Sequence, residues 1–409
     1  NNQIGVRDTA VGCEALKLNT EGSDNTAVGA QAITSLSGSE RNTAVGSQAL
    51  HNADSVNDCT AIGFAALFNN IKNETFLGGA TDELTAVGSF ALYENTKGYE
   101  LTAVGFKTLE QNTIGSFNTA GGHFSQQYNF IGYWNTSWGA RTLRYNQSFF
   151  NTGIGADALG YNTIGYANTA CGAGALTYNI AGFENTACGA IALGYNLVGF
   201  YNTACGASAL AYNQSLYNTA VGCNALWLNT LGAYNVAVGN NALEYSTAGY
   251  GNVAVGVNCM ALGFPGASYS NTCGGFASML VNVGGSYNTT WGAYSLTANT
   301  VGQCNVAIGR SALLIATSGI GNTAVGYDTL RTNLTSPFNT AVGYGAGRLT
   351  VGLNNVAVGY NAENLTGQYC IAIGNAPLAV GFYETAIGYN ANAKGNLDIA
   401  IGKDAKCGT

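Results

Sequence analysis

The sequence predicts an all-β protein, a parallel β-solenoid (β-roll) of about 25 coils, mostly 17 residues each and narrowing to 14 at the C-terminus. Three observations predict it. One short motif, "NTAVG" and its variants, recurs along the 409 residues. The motif carries β-branched residues on alternate positions, the period of a strand. Glycine and asparagine recur inside every copy, at a density that no helix of ordinary length tolerates.

The marker glycine sets the period. Gly12, Gly29, Gly46 and Gly63 stand 17 apart, as do Gly88, Gly105, Gly122 and Gly139. The series runs on from Gly155 through Gly206, Gly222 to Gly256 and Gly275 to Gly343, then shortens at Gly359, Gly374, Gly388 and Gly402. A degenerate copy at Gly78 brings the count to 25. The organisation that follows is regular coils over 1–68, an irregular coil or loop insertion over 69–84, regular 17-residue coils over 85–358, and shorter coils of 14–16 residues over 359–409. A repeat of this length cannot bury a core alone, so each coil must stack on the next.

Within a copy such as Asn168 to Glu184, the slots three and one before Gly are β-branched or apolar, and the slot between them is Ala. Val and Ile are the more hydrophobic, so the Val face is expected inside and the Ala ladder (Ala170, Ala187, Ala204, Ala220, Ala237, Ala254) outside, open to a neighbouring chain. An Ala-Leu pair follows Gly, then an aromatic and Asn, as in Tyr161-Asn162 and Tyr178-Asn179, and a second Gly (Gly165, Gly182, Gly199) opens the return turn. Two short strands joined by two Gly/Asn turns fit each coil. Asn suits the turns because its side chain can bond nearby backbone, and equal Asn residues one coil apart can form ladders.

The Val slot becomes Gly121 and then Trp138 one coil later, and again Gly274 and then Trp291. A small residue beside a large one leaves room for an indole. On the same expectation of an inward Val face, Trp138, Trp291 and the successive Cys171, Cys188 and Cys205 are structural core. Cysteine behaves there as a small apolar residue; a bridge between neighbouring coils is within reach on Cα distance alone. The 11 cysteines are an odd number, which leaves room for interchain bridges. The Thr ladder (Thr169, Thr186, Thr203, Thr219) shares the Val face and is expected inward. That weighs against an ice-binding solenoid, the minor alternative function.

Charged residues are 9% of the chain and the formal net charge is −7, against about 25% charged in an ordinary domain. No Lys or Arg lies between Arg144 and Arg310. A basic track for nucleic acid is excluded there, and trypsin finds no site. Such a neutral surface needs cover, by sugar or by symmetry mates. Sequons stand at Asn73, Asn135, Asn146, Asn213, Asn288, Asn333 and Asn364. No apolar run spans a membrane. No Cys/His spacing suggests a metal, His51 and His123 lack a repeated acid or nucleophile partner, and the acids are too scattered for a glycosidase pair. Neither catalysis nor a cofactor is expected. Tyr161, Tyr178, Tyr195 and Tyr212 form the one candidate binding strip, which would act multivalently.

The C-terminal copies, "TAIGYNANAKGNLDIAIGKDA" (Thr385 to Ala405), resemble the head repeats of trimeric autotransporter adhesins. The "NTAVGxxAL" copies are similar to repeats in tail-fibre-like proteins of phages and large viruses. The resemblance spans nearly the whole chain as a repeat type. It implies a left-handed β-roll, three chains around one axis, and a place outside the cell, on a cell surface or on a virion. The 17-residue coils and the Tyr and Cys content depart from adhesin heads. The expected function is a structural extracellular fibre, filament or adhesin rod with itself as partner, as a homotrimer or an end-to-end filament of coils left open at both ends. The alternative is a virus or phage fibre that binds a host receptor or surface glycans.

Overall fold

The computed structural model describes residues 5–35, 38–54, 56–71, 82–263 and 268–408. They form a parallel β-solenoid with turns of about 17 residues and no helix. The chain divides into two compact units, Asn1–Asn202 and Thr203–Thr409.

In the first unit, 11 three-residue strands of the repeat motif run from Thr9–Val11 to Thr186–Cys188. Each pairs in parallel with the next, slot on slot: Thr169 with Thr186, Ala170 with Ala187, Cys171 with Cys188. Thr60–Ile62 pairs directly with Thr85–Val87; Gly78 lies outside the described residues. Asn69–Ile71 pairs with Asn52–Asp54, and Leu84 is buried in the core. The second unit holds 13 such strands among its described residues, from Thr203–Cys205 to Ile399–Ile401.

The coil has one regular strand, not two, over most of its length. After the marker Gly, the Ala-Leu leg is a chain of turns with alternating left-handed residues, such as Ile191 (φ 58°) and Leu193 (φ 50°). The turns still bond rung to rung: Leu176 N donates to Ala192 O at 3.0 Å. Among the described residues, only Asn52–Asp54 with Asn69–Ile71 and the short C-terminal coils straighten this leg into a strand, as in Leu378–Ala379, Asn392–Ala393 and Lys406–Cys407.

The marker glycine is fixed by space. A Cβ on Gly172 (φ +142°) would lie 2.5 Å from the carbonyl oxygen of Gly189 in the next rung.

The strand faces the opposite way to the expectation. From the rung Thr26–Val28 onward the middle residue, usually Ala, is buried, whereas Thr and Val flank it outward: Ala170, Ala187 and Ala204 are wholly buried, and Thr169, Thr186 and Thr203 are exposed. The reason is thickness. Leu159, Leu176 and Leu193 enter from the second leg and are fully buried, and the narrow gap left opposite them admits a methyl and little more. Paired changes at the touching slots confirm the close fit. Where both become Ser, Ser125 and Ser137 hydroxyls bond at 2.6 Å. Ser278 and Thr290 do the same at 2.7 Å, and Cys259 and Cys273 form a disulfide. Where one grows to Thr142 the other is Gly153, whose Cβ would lie 2.6 Å from the Thr142 methyl.

The rest of the interior is asparagine. Asn168 Nδ2 donates to Asn151 Oδ1 (3.2 Å) and Gly182 O (2.8 Å), and the Asn185 backbone N–H donates to Asn168 Oδ1 (3.1 Å). A parallel ladder runs through Asn162, Asn179 and Asn196, and Asn179 Nδ2 also reaches Gly182 O (2.7 Å). One carbonyl thus ties both ladders. These ladders satisfy buried backbone groups where the chain turns away from the strand.

Candidate interaction surface

Because Ala turns inward, each strand presents Thr and Val outward. Strand side chains alternate, so rung after rung places Thr over Thr and Val over Val at about 4.8 Å. The Val column is well exposed: Val45 38%, Val104 37% and Ile154 47% in the first unit, Val221 39% and Val342 39% in the second. Cys171, Cys188 and Cys205 occupy this column as exposed free thiols, which corrects their assignment to the core. Trp138 and Trp291 do too, more than half exposed. The fit read from the sequence holds, though outside: a Cβ on Gly121 would lie 2.3 Å from Trp138 Cε3, and Gly274 meets Trp291 at the same distance. Each indole lies down over the glycine of the preceding rung. The face therefore stays level where its largest residues occur.

The sequon asparagines do not reach the surface. Asn135, Asn146, Asn213, Asn288, Asn333 and Asn364 are wholly buried, and their amides are engaged inside, as when Asn135 Nδ2 donates to Ser148 O at 2.8 Å and Asn288 Nδ2 to Gly302 O at 2.9 Å. A glycan on any of them requires an unfolded rung, so sugar does not cover this surface at those positions. Asn73 lies outside the described residues.

The tyrosine strip is a stacked column. Tyr161 and Tyr178 lie 5.1 Å apart at 10°, Tyr178 and Tyr195 5.1 Å apart at 16°, and Tyr128 and Tyr145 extend the stack. Their faces cover one another and their edges meet solvent. Tyr212, in the second unit, stands edge-on to Trp227. A second column runs through Tyr133, Phe149, Tyr166, Phe183 and Phe200; its signal in the sequence is an aromatic right after the turn glycine, as in Gly182-Phe183 and Gly199-Phe200. An open groove of about 430 Å³ borders the tyrosines, lined by Arg141, Asp157, Tyr161, Tyr178, Ile191 and Tyr195. Arg141 and Asp157 pair at 2.6 Å, and the guanidinium holds the Asp157 carboxyl below its ordinary range.

Among the described residues no three His, Cys, Asp or Glu side chains gather as a metal would require, and no helix is long and apolar enough to cross a membrane. Burial pushes the Glu363 carboxyl up to about 7, against backbone N–H groups of Leu349 and Arg348 that pull it down. Burial also raises Glu244.

The fold and this face define the class: a β-solenoid repeat protein with a level, uncharged outer stripe. No protein-family model matches the chain, and no curated protein matches it.

Proposed function

We propose that the chain is a rod segment of an extracellular structural fibre or adhesin, related in its repeats to adhesin heads and virus-type fibres, and that it works as a homotrimer without catalysis. The observation that carries this reading is the outward Val column. Rows of aliphatic side chains more than a third exposed are not left to water along a whole rod. The partner must match a repeat of about 4.8 Å over many rungs, and a second copy of the chain carries that repeat by construction. The low charge removes the repulsion that would keep like faces apart. The interface proposed here uses the Thr/Val face; the Ala ladder first expected to meet a neighbour is enclosed in the roll.

The test is the native mass of the purified chain, with Val104→Asp and Ile154→Asp as the variant. The expected result is a multiple of one chain for the natural sequence and a single chain for the variant. A single-chain mass for the natural sequence overturns the reading.

A second reading gains from the same geometry. The outward Thr ladder removes the objection to ice binding, since a regular array of hydroxyls and methyls is what such a face requires. Thermal hysteresis in a freezing assay, abolished by Thr169→Tyr with Thr186→Tyr, supports it; no hysteresis overturns it.

A further inference from the structure

The outward column contains an anomaly. In rungs 169–171, 186–188 and 203–205, Cys takes the slot of Val, so thiols stand at Cys171, Cys188 and Cys205, all exposed and unbridged. Cys171 follows Ile154 in register in the first unit and Cys205 precedes Val221 in the second, so in each unit the thiols continue the apolar column. Exposed thiols are an oxidation liability on a free surface. On a face covered by identical chains each thiol meets its equivalents, because symmetry brings equivalent residues together near the axis.

We propose that Cys171, Cys188 and Cys205 form interchain disulfides with other copies packed on the same face, two of the three equivalent thiols pairing at each rung of the homotrimer, which locks the assembly covalently. This rests on the self-association proposed above. A bridge within one chain is disfavoured. Cys171 and Cys188 are in-register neighbours on parallel strands, so their Cβ atoms leave the sheet in one direction and stay near the strand spacing of about 4.8 Å. A disulfide needs about 3.5–4.5 Å between Cβ atoms. A facing copy can close that distance where the neighbouring rung cannot. The chemistry is thiol–disulfide exchange with a small disulfide such as oxidised glutathione. One protein thiolate attacks the small disulfide and releases a small thiol. The thiolate of the facing chain then displaces the second small thiol. One protein S–S bond forms, one small S–S bond breaks, two electrons pass to the small disulfide, and the two protein thiol protons end on the released thiols. An oxidising exterior favours the product.

The experiment takes the full chain through a glutathione redox buffer, then reads it by non-reducing electrophoresis, native mass and chymotryptic peptide mapping. Chymotrypsin is chosen because Tyr178 and Tyr195 separate the three thiols where trypsin has no site. The expected result is a covalent multimer that reduction returns to one chain, with cross-links mapped to these three cysteines. The triple variant Cys171→Val, Cys188→Val and Cys205→Val, which restores the common residue, should run as a single chain under denaturing oxidation yet keep the natural native mass. A multimeric native mass with all three thiols free to alkylation overturns the lock and leaves self-association standing. Cross-links mapped to Cys13, Cys223 or Cys304, or a Cys171–Cys188 bridge within one chain, also overturn it. A single-chain native mass under reducing conditions overturns self-association itself.

Discussion

The long coils around Asn168–Glu184 and the short coils from Gly374 to Gly402 solve one problem in two ways. Both keep the inward Ala, an outward side chain on either side of it and the marker glycine. The long coil closes its second half with turns and two internal asparagine ladders. The short coil has three residues fewer and no Asn at either ladder position. Its second leg straightens into the strands Leu378–Ala379, Asn392–Ala393 and Lys406–Cys407, which pair in parallel. In the strand-side slot, Cys370, Glu384 and Asp398 replace Asn: Cys370 Sγ donates to Gly381 O, Glu384 Oε2 accepts from Val380 N, and Asp398 Oδ2 accepts from Gly395 N. Buried backbone groups must find partners. A coil with length to spare supplies them from side chains, and a coil without it supplies them from a second ladder.

The largest expected effect concerns what both regions share. Gly172→Ala and Gly388→Ala each drive a Cβ into the carbonyl of the next rung while holding a backbone angle that L-residues avoid. Each should cost about 4 kcal/mol or more, read as a large fall in thermal midpoint and lost amide protection around the rung. Tolerance of Gly388→Ala would break the shared part of the comparison.

The ladder substitutions should separate the regions. Asn168→Ala removes two donated bonds, takes one acceptor from the Asn185 amide and strands the Asn185 backbone N–H, at a cost of about 3–5 kcal/mol. Asp398→Ala removes one bond and should cost about 1 kcal/mol. Equal losses in hydrogen exchange would erase the distinction. Glu384→Gln should stabilise by about 1 kcal/mol, because Glu384 Oε1 is buried without a hydrogen-bond partner and an amide N–H can donate where that oxygen cannot.

A pH titration sharpens the contrast further, since Glu363 belongs to the shortened coils. Its folded pKa, about 7, lies above the ordinary 4.5. The folded state therefore holds the proton that the unfolded state releases. Stability from this group is full below 4.5, falls as pH rises toward 7 and is flat beyond. The loss is on the order of 1–2 kcal/mol after allowance for its partial exposure, and Glu363→Gln should flatten the profile. The smallest effect belongs to the long coils' exposed Arg141–Asp157 pair. Arg141→Ala should leave the thermal midpoint unchanged at high salt.

Much of this was legible in the residues. The 17-residue spacing of Thr169 and Thr186 is the register in which they pair. The Gly121–Trp138 and Gly274–Trp291 compensations were visible as small beside large. Which face is buried was misread, because Val ranks above Ala in hydrophobicity and that ranking ignores width. A signal was present in the paired exceptions Ser125 with Ser137, Cys259 with Cys273 and Thr142 with Gly153. They join the slot after the marker glycine to the Ala slot of the following coil, and residues that change together in this way touch.

Sequence by itself determined the repeat, the parallel register and the glycine at each corner, because these follow from local backbone geometry and from the identity of successive copies. Tertiary structure alone decided inside from outside. The depth of the roll is set by Leu packing across from the strand and by asparagines spanning the turns, and the space that remains takes Ala and turns Val, Thr, Cys and Trp toward whatever lies beyond the chain.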